Sequence, residues 1–142
     1  MYIRIAGAED IEEVSKLWLA MANELHPSEK PNVEWWIELV EGMMNNSAYF
    51  MFVLEDAEKL VGFADIFLMR VPLTGKIHMI GMSLYVKPEY RNTMYAGLLY
   101  RKAIQTAKRI GATTIEIICG PTEFSKWGSI GYTVSSMTVK KV

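Results

Sequence analysis

The segment between Leu84 and Leu99 has residue types and spacing that suit an anionic phosphate group. An apolar run ending at Val86 predicts a strand, Pro88 ends that strand, and a helical pattern begins near Thr93. The first turn of a helix exposes about four backbone N–H groups without partners inside the helix, and the helix dipole places partial positive charge there. The segment therefore predicts a tight loop with an anion site that suits a pyrophosphate.

Three side chains outside this segment are of the types that usually act as proton acceptors in catalysis, a carboxylate or a histidine. His26 lies in a predicted loop, and His78 lies in a predicted strand. For each histidine, the alternative is a hydrogen-bonded or surface position without a chemical role. Asp65 interrupts an apolar strand-like run, so it lies either on a solvated face or in a cleft that raises its pKa. We predict the solvated face.

Hydrophobic patterns predict the elements that position these residues. Residues 2–6 alternate as in a strand, and a helix follows with a capping-box-like pair, Asp10 and Glu13. That helix ends before Pro27, and a second helix begins at Asn32. The remaining predicted elements are strands at 49–54 and 60–68 joined by a turn at 55–59, a strand at 76–86, a helix at 93–110, a strand at 113–118, a helix at 122–129 and a strand at 132–139.

The element order β-α-α-β-β-β-α-β-α-β predicts an α/β protein with a mixed sheet and helices on its faces. A length of 142 residues suits a single domain, 1–142. The composition, with 51% hydrophobic and 22% charged residues, predicts a globular core.

Composition also excludes several classes of function. The net charge of −1 gives no global basic field, so we expect no nucleic-acid partner. Because Cys119 is the single cysteine, an internal disulfide and a Cys-based zinc cluster are excluded, and we expect no metal. No apolar run approaches the ~20 residues of a membrane span, and the start does not resemble a signal peptide. We therefore expect a cytoplasmic protein without membrane association.

The loop segment also carries a family resemblance. The residues that match the pattern Val-x-Pro-x-x-Arg/Gln-x-x-Gly-x-Gly/Ala are Val86, Pro88, Arg91 and Ala96. Together with the element order, they make the chain resemble the GCN5-related N-acetyltransferase (GNAT) superfamily. The first strand and helix and a late segment from Trp127 to Tyr132 are similar to the family as well, so the resemblance covers nearly the whole chain.

The resemblance implies that acetyl-CoA is the co-substrate and that its acetyl group passes directly to a primary amine of a small molecule or a protein. Two parallel strands, here 76–86 and 113–118, splay apart and hold the pantetheine arm. The loop 91–96 holds the pyrophosphate, and Arg91 either contacts phosphate or packs the loop. The residues implied to bind acetyl-CoA are Leu84, Val86, Arg91, Asn92, Thr93, Met94, Tyr95, Ala96 and Gly97.

Several positions depart from the family pattern. Met94 stands at the first loop glycine, Trp127 at a tyrosine that often protonates the departing thiolate, and Gly120 at a frequent asparagine. Ile80 and Met82, at the usual positions of the general base, are apolar. Ile80, Met82 and Trp127 favour a rival hypothesis more strongly than the residues typical of the family would. In this rival hypothesis the chain binds acyl-CoA or a protein partner without catalysis, as a sensor or scaffold.

Candidate residues for the chemistry follow from these departures. His78 is the best candidate for the general base, because it is predicted to share the side of the strand that carries the usual positions. Ser125 is the candidate that replaces the missing tyrosine, acting through a water. The candidates for binding the acceptor are His26, Glu34, Trp35 and Asp65.

A third hypothesis is an interaction module that joins two copies of the chain. Its surface would be rich in methionine and tryptophan and would contain Trp35, Trp36, Met43 and Met44. Because dimers are common in the family, a homodimer is also expected under the acetyltransferase hypothesis.

Overall fold

A computed structural model describes residues 1–91 and 94–117, and the predicted order of elements is confirmed within them. The helix predicted at 122–129 and the strand predicted at 132–139 lie outside the described residues. The elements are β1 (Tyr2–Ile5), a 3₁₀ turn (Ala8–Asp10), α1 (Ile11–Leu25), α2 (Val33–Met44), β2 (Tyr49–Asp56), β3 (Lys59–Arg70), β4 (Ile77–Val86), a 3₁₀ turn (Pro88–Tyr90), α3 (Tyr95–Ile110) and β5 (Ala112–Ile117).

The described strands form a mixed sheet in the order β1-β2-β3-β4-β5. Neighbours from β1 to β4 are antiparallel, and β4 and β5, which are connected through α3, are parallel. The β2–β3 hairpin closes at Ala57 and Glu58, whose φ angles of 49° and 66° suit a two-residue turn. The strands therefore extend to Asp56 and from Lys59, and the predicted turn over 55–59 was too long.

Helices cover both faces of the sheet. Helix α3 packs on one face, which we call the α3 layer, and helices α1 and α2 pack on the other, the α1–α2 layer. Because both faces are covered, β2 and β3 are almost continuously apolar instead of alternating. None of the helices in the described ranges has both the length and the apolar character needed to cross a lipid bilayer.

One extra residue in β4, Met82, forms a β-bulge. Asp65 of β3 pairs with Ser83, and the next residue, Ile66, pairs with Gly81. Met82 therefore has no direct partner on β3, and a bulge of this kind bends and twists the strand.

The bulge resets which side chains of β4 face each layer. Met79 before it and Leu84 after it both pack in the α3 layer, whereas Tyr85 packs in the α1–α2 layer. An uninterrupted alternation from His78, as assumed in the sequence analysis, would turn Ser83 towards α3. The bulge instead turns Ser83 to the α1–α2 side of the sheet, directly opposite a residue of β3 on that side.

An ion-pair cluster attaches the first strand to the first helix. Arg4 donates from Nη1 and Nη2 to the two carboxylate oxygens of Asp10, at 2.7 and 2.8 Å, and from Nη2 to Glu55 at 3.2 Å. The Gly7 N–H donates to Oδ2 of Asp10 at 2.8 Å. The hydrogen bonds from Arg4 hold the pKa of the Asp10 carboxyl below its usual value.

The predicted capping pair of Asp10 and Glu13 is wrong. Asp10 does precede α1, but its side chain makes no hydrogen bond to the first turn, because Arg4 and Gly7 occupy both carboxylate oxygens. Glu13 instead accepts a hydrogen bond from the N–H of Leu60 at 2.8 Å. Both acidic residues therefore fasten α1 to the sheet.

We predict that Asp10→Ala lowers the free energy of unfolding by about 2–4 kcal/mol, because it leaves Arg4 partly buried without its main partner and Gly7 without an acceptor. Urea denaturation measures the change. Asp10→Asn, which keeps an acceptor for Gly7, should cost less. Glu9→Ala, at the adjacent exposed position, should change stability by less than about 0.5 kcal/mol. Equal effects of Asp10→Ala and Glu9→Ala would contradict the role given to this cluster.

Candidate functional site

The predicted phosphate loop connects the end of β4 to the start of α3. Met94 precedes α3 with a φ of −78°, a conformation that any L-residue adopts. Met94 is also 73% exposed. A methionine in place of the family's glycine therefore neither strains the backbone nor fills the loop with a buried side chain. A Cβ added at Gly97, in the first turn of α3, would meet no atom within 4 Å. The described part of this loop therefore leaves room for an anionic group.

Arg91 fixes the geometry of the turn before α3. Its Nε donates to the carbonyl oxygen of Val86 at 2.7 Å, and its two Nη atoms donate to the carboxylate of Glu24 at 2.6 and 2.7 Å. Its guanidinium also lies over the ring of Tyr85, 5.2 Å from the centroid. The hydrogen bond from Arg91 lowers the pKa of Glu24. Two roles were expected for Arg91, contact with phosphate or packing of the loop, and the contacts of Arg91 are those of loop packing.

The edge of β4 beyond the bulge is the part expected to hold pantetheine. The described pairs between β4 and β5 end at Gly81 and Ile117. Leu84 and Val86, further along β4, pair with β3 on the other side. Among the described pairs, the stretch from Met82 to Val86 therefore lies past the parallel pairing with β5. Asn92 and Thr93, also expected at this site, lie outside the described residues.

Asp65 is buried, and the prediction of a solvated face is wrong. Its exposure is 4%, because β3 carries it on the side that α1 and α2 cover, with Phe63 and Phe67 two residues away on either side. The Tyr49 hydroxyl donates to Oδ2 at 2.8 Å. Among the described residues, no group completes a hydrogen bond to Oδ1.

Burial raises the pKa of Asp65 to about 6. The Tyr49 hydroxyl and the polar groups of Ser83, the residue directly opposite on β4, partly counteract this effect. Burial and the nearby Asp65 charge raise the pKa of Tyr49 in turn, so Tyr49 remains the hydrogen-bond donor. The chain thus holds a carboxylate that is ionised at neutral pH but basic enough to accept a proton.

His78 lies on β4, near the start of the strand, whereas Ser83 and Leu84 lie towards its end. His78 is about 13 Å from Ser83 along the strand, because its partner on β3, Met69, lies four residues from Asp65, the partner of Ser83. Its side chain is 24% exposed, and its Nδ1 lies 3.8 Å from Oε1 of Glu116 on β5. The structure therefore places the histidine favoured as general base apart from the end of β4 that carries Leu84.

The predicted acceptor residues divide into a buried and an exposed group. His26, which follows α1, and Glu34 and Trp35, in the first turn of α2, are exposed, whereas Asp65 is buried. Ser125, together with the departures at Gly120 and Trp127, lies outside the described residues. Within the described ranges, no three His, Cys, Asp or Glu side chains are grouped as metal ligands.

The surface predicted to be rich in methionine and tryptophan is largely an internal helix face. Trp36 is only 5% exposed and stacks on Trp18 with ring centroids 5.2 Å apart, and Met43 and Met44 pack against the same core. Trp35 alone of the four is exposed. The helical spacing that brings Trp36 to the sheet takes Trp35 away from it.

Sequence reasoning did not single out Tyr49, Ser83 or Glu24. The sequence does contain a signal for Tyr49, because Tyr49 and Asp65 are isolated polar groups in neighbouring apolar strands. The face of Ser83 depends on the bulge, and the contact between Glu24 and Arg91 joins distant parts of the chain. Neither follows from local patterns.

Comparisons with known proteins agree with this geometry. The model of the acetyltransferase (GNAT) family matches residues 11–125. Among curated protein sequences, none matches this chain.

Solved structures share the fold at low sequence identity. A GNAT family acetyltransferase of Staphylococcus aureus is 17% identical, with a TM-score of 0.77 over 99% of this chain and 97% of that one. Glucosamine-6-phosphate N-acetyltransferase of Arabidopsis thaliana is 13% identical, with 0.80 over 99% and 97%. A predicted acetyltransferase of Clostridium acetobutylicum, solved with acetyl-CoA, is 14% identical, with 0.83 over 99% and 95%. At these identities the likeness concerns the fold alone.

We predict a pH-dependent stability difference between the wild type and Asp65→Asn, which keeps an acceptor for Tyr49. Because the folded state raises the pKa of Asp65 from 3.8 to about 6, it binds this proton more tightly than the unfolded state does. The wild type should therefore lose stability relative to the variant as pH rises from about 4 to above 6, by on the order of 3 kcal/mol.

Denaturation curves of both proteins across this pH range measure the difference. Asp10→Asn is the matched control, because the folded state lowers the pKa of Asp10 and the pH dependence should have the opposite sign. A difference that stays constant with pH for Asp65→Asn would mean that this carboxyl is not perturbed.

Proposed function

The chain belongs to the acetyltransferase (GNAT) family, and from this premise we propose that it transfers the acetyl group of acetyl-CoA directly to a primary amine, without a covalent enzyme intermediate. The observation that carries the proposal is the junction of β4 and α3. There, Arg91 ties the turn to the Val86 carbonyl, and the first turn of α3 is open at Gly97.

This junction suits each part of acetyl-CoA. The N-terminal N–H groups of α3 supply donors and partial positive charge for the pyrophosphate. Among the described pairs, Leu84 and Val86 lie past the pairing with β5, and we assign to the backbone of Leu84 and the N–H of Val86 the bonds to the pantetheine arm that a further strand would make. A backbone N–H on this stretch would stabilise the oxyanion that forms when the amine attacks the thioester carbonyl.

We assign the acceptor, an amine of a small molecule or a protein, to the side of the sheet that α1 and α2 cover. His26, Glu34 and Trp35 are exposed where α1 ends and α2 begins, so they are available to bind a cationic acceptor.

We further propose a single domain over 1–142, a cytoplasmic location and a homodimer. The net charge of −1 supports a partner other than nucleic acid.

A second candidate function is non-catalytic binding of acyl-CoA or a protein partner. The apolar residues Ile80 and Met82, at the positions where the family often has its base, favour it. Asp65, opposite Ser83 near the proposed thioester position, favours the enzyme. Turnover with an amine separates the two.

Calorimetric titration tests the proposed co-substrate, and we expect binding of acetyl-CoA and CoA but not of ATP. Gly97→Glu should weaken acetyl-CoA binding at least about tenfold, because it places a negative charge beside the pyrophosphate. The same substitution should not destabilise the free protein, since an acidic residue in the first turn suits the helix dipole.

Gly42→Glu is the matched control, because Gly42 is also a helix glycine with no atom within 4 Å of an added Cβ. Its binding should remain that of the wild type. If the wild type does not bind acetyl-CoA, or if both glutamates weaken binding equally, the proposed site is wrong.

A second prediction concerns the role of Arg91. If Arg91 packs the loop, Glu24→Ala should weaken acetyl-CoA binding several-fold and lower the melting temperature, because the guanidinium loses its bidentate partner. If Arg91 instead contacts phosphate, releasing it from Glu24 should tighten binding. We expect the weakening. Glu29→Ala, at an exposed position beyond α1, is the control and should leave both quantities unchanged.

A further inference from the structure

Asp65 is held in a way that a purely structural residue would not need. Tyr49 satisfies Oδ2, but no described residue completes a hydrogen bond to Oδ1. A buried carboxylate oxygen without a partner costs stability, and an apolar residue would avoid that cost. The arrangement therefore leaves one oxygen of a fixed carboxylate available to a proton donor.

Ser83 is the residue placed to connect that oxygen with the outside. Residues directly opposite on antiparallel strands have Cβ atoms about 5 Å apart, and Ser83 is the direct partner of Asp65. The direction in which the Ser83 hydroxyl and N–H shift the pKa of Asp65, downward, agrees with this placement. Unlike Asp65, Ser83 is only partly buried, and it directly precedes Leu84.

Tyr49 and Ser83 are the polar residues that face Asp65 from the neighbouring strands. Tyr49 faces it from β2 and Ser83 from β4, and His78 lies on the same side of β4 but about 13 Å from Ser83. Of the side chains that α1 and α2 bury on this side of the sheet, Ser15 has a hydroxyl, which donates to the carbonyl of Glu12, and the others are hydrophobic. The main causes of the shifted pKa of Asp65 are its burial and hydrogen bonds from Tyr49, from Ser83 and from its own backbone.

We propose that Asp65 accepts the proton of the acceptor amine through the hydroxyl of Ser83. The inference deepens the proposed function and rests on it. Asp65 acts through Ser83, which alone touches the amine, and Tyr49 holds the carboxylate so that Oδ1 points to the serine.

The proton balance of the step is complete. The ammonium gives one proton to Ser83 Oγ while the serine gives its own to Asp65 Oδ1. The freed amine lone pair forms the N–C bond to the thioester carbonyl, whose π electrons move to oxygen. As the carbonyl re-forms, the C–S bond breaks, its electron pair leaves on the CoA sulfur, and the second proton of the nitrogen goes to that sulfur. Asp65 then returns its proton to water.

Two small amines test the proposal as probes. Ethylamine is protonated at neutral pH and needs a base, whereas methoxyamine is unprotonated there and needs it much less. Release of CoA from acetyl-CoA is measured with each amine across pH, after calorimetry has established that each variant binds acetyl-CoA as the wild type does.

We expect Asp65→Asn and Ser83→Ala to slow the ethylamine reaction about 100-fold and the methoxyamine reaction less than about tenfold. In the wild type, kcat/KM for ethylamine should fall as pH drops through about 6, and Asp65→Asn should abolish this fall. Tyr49→Phe should move it to higher pH, because the Tyr49 hydrogen bond lowers the pKa of Asp65. Glu41→Gln, which neutralises an exposed carboxylate on α2, should behave as the wild type.

Each contrary outcome has a distinct meaning. If wild type turns over ethylamine and the variants slow both amines equally, or leave the fall near pH 6 in place, Asp65 has a structural role and the proton route is wrong. If Ser83→Ala alone retains full activity, the serine relay is wrong. If wild type binds acetyl-CoA but releases no CoA with either amine, the proposed transfer fails and the proton route fails with it.

Discussion

The bulge at Met82 is the constraint on which the rest of this site depends. One additional residue shifts the alternation of β4, so that Leu84 and Val86 pack with α3 while Ser83 turns to the side of α1 and α2. The same strand is antiparallel to β3 and parallel to β5, and it is paired with β5 only as far as Gly81 among the described pairs. A single insertion thus turns the side chain of Ser83 towards the layer that contains Asp65.

Two aspartates illustrate opposite uses of burial. Asp10 has a cationic partner and a backbone donor, so its pKa is lowered and its charge stabilises the junction of β1 and α1. Asp65 has a neutral phenol for a partner, so burial dominates and raises its pKa. The first arrangement is suited to holding the fold together. The second lowers stability at neutral pH, a cost that proteins accept at sites where a group must exchange a proton.

The elements were predictable because their signals are local. Asn32 caps α2 as predicted, with its Oδ1 accepting the N–H of Trp35, and the hydrophobic periods located the strands and α3. The candidate site was less predictable because its features are long-range. The burial of Asp65 requires two helices to cover the sheet, and the capping role predicted for Asp10 fails because Arg4, on another element, competes for its carboxylate. The negative φ of Met94 is likewise a property of the folded loop that the residue type does not fix.

The contact between Arg91 and Glu24 spans 67 positions of the sequence. Closing so long a segment costs chain entropy that only the packed helix and sheet can offset. The contact between Arg91 and Glu24 can therefore form only after α1 has docked, late in the order of folding events. That contact should be among the first to open in native-state fluctuations, since both of its side chains are exposed. A ligand held there would then slow hydrogen exchange at the end of α1, far from it in sequence.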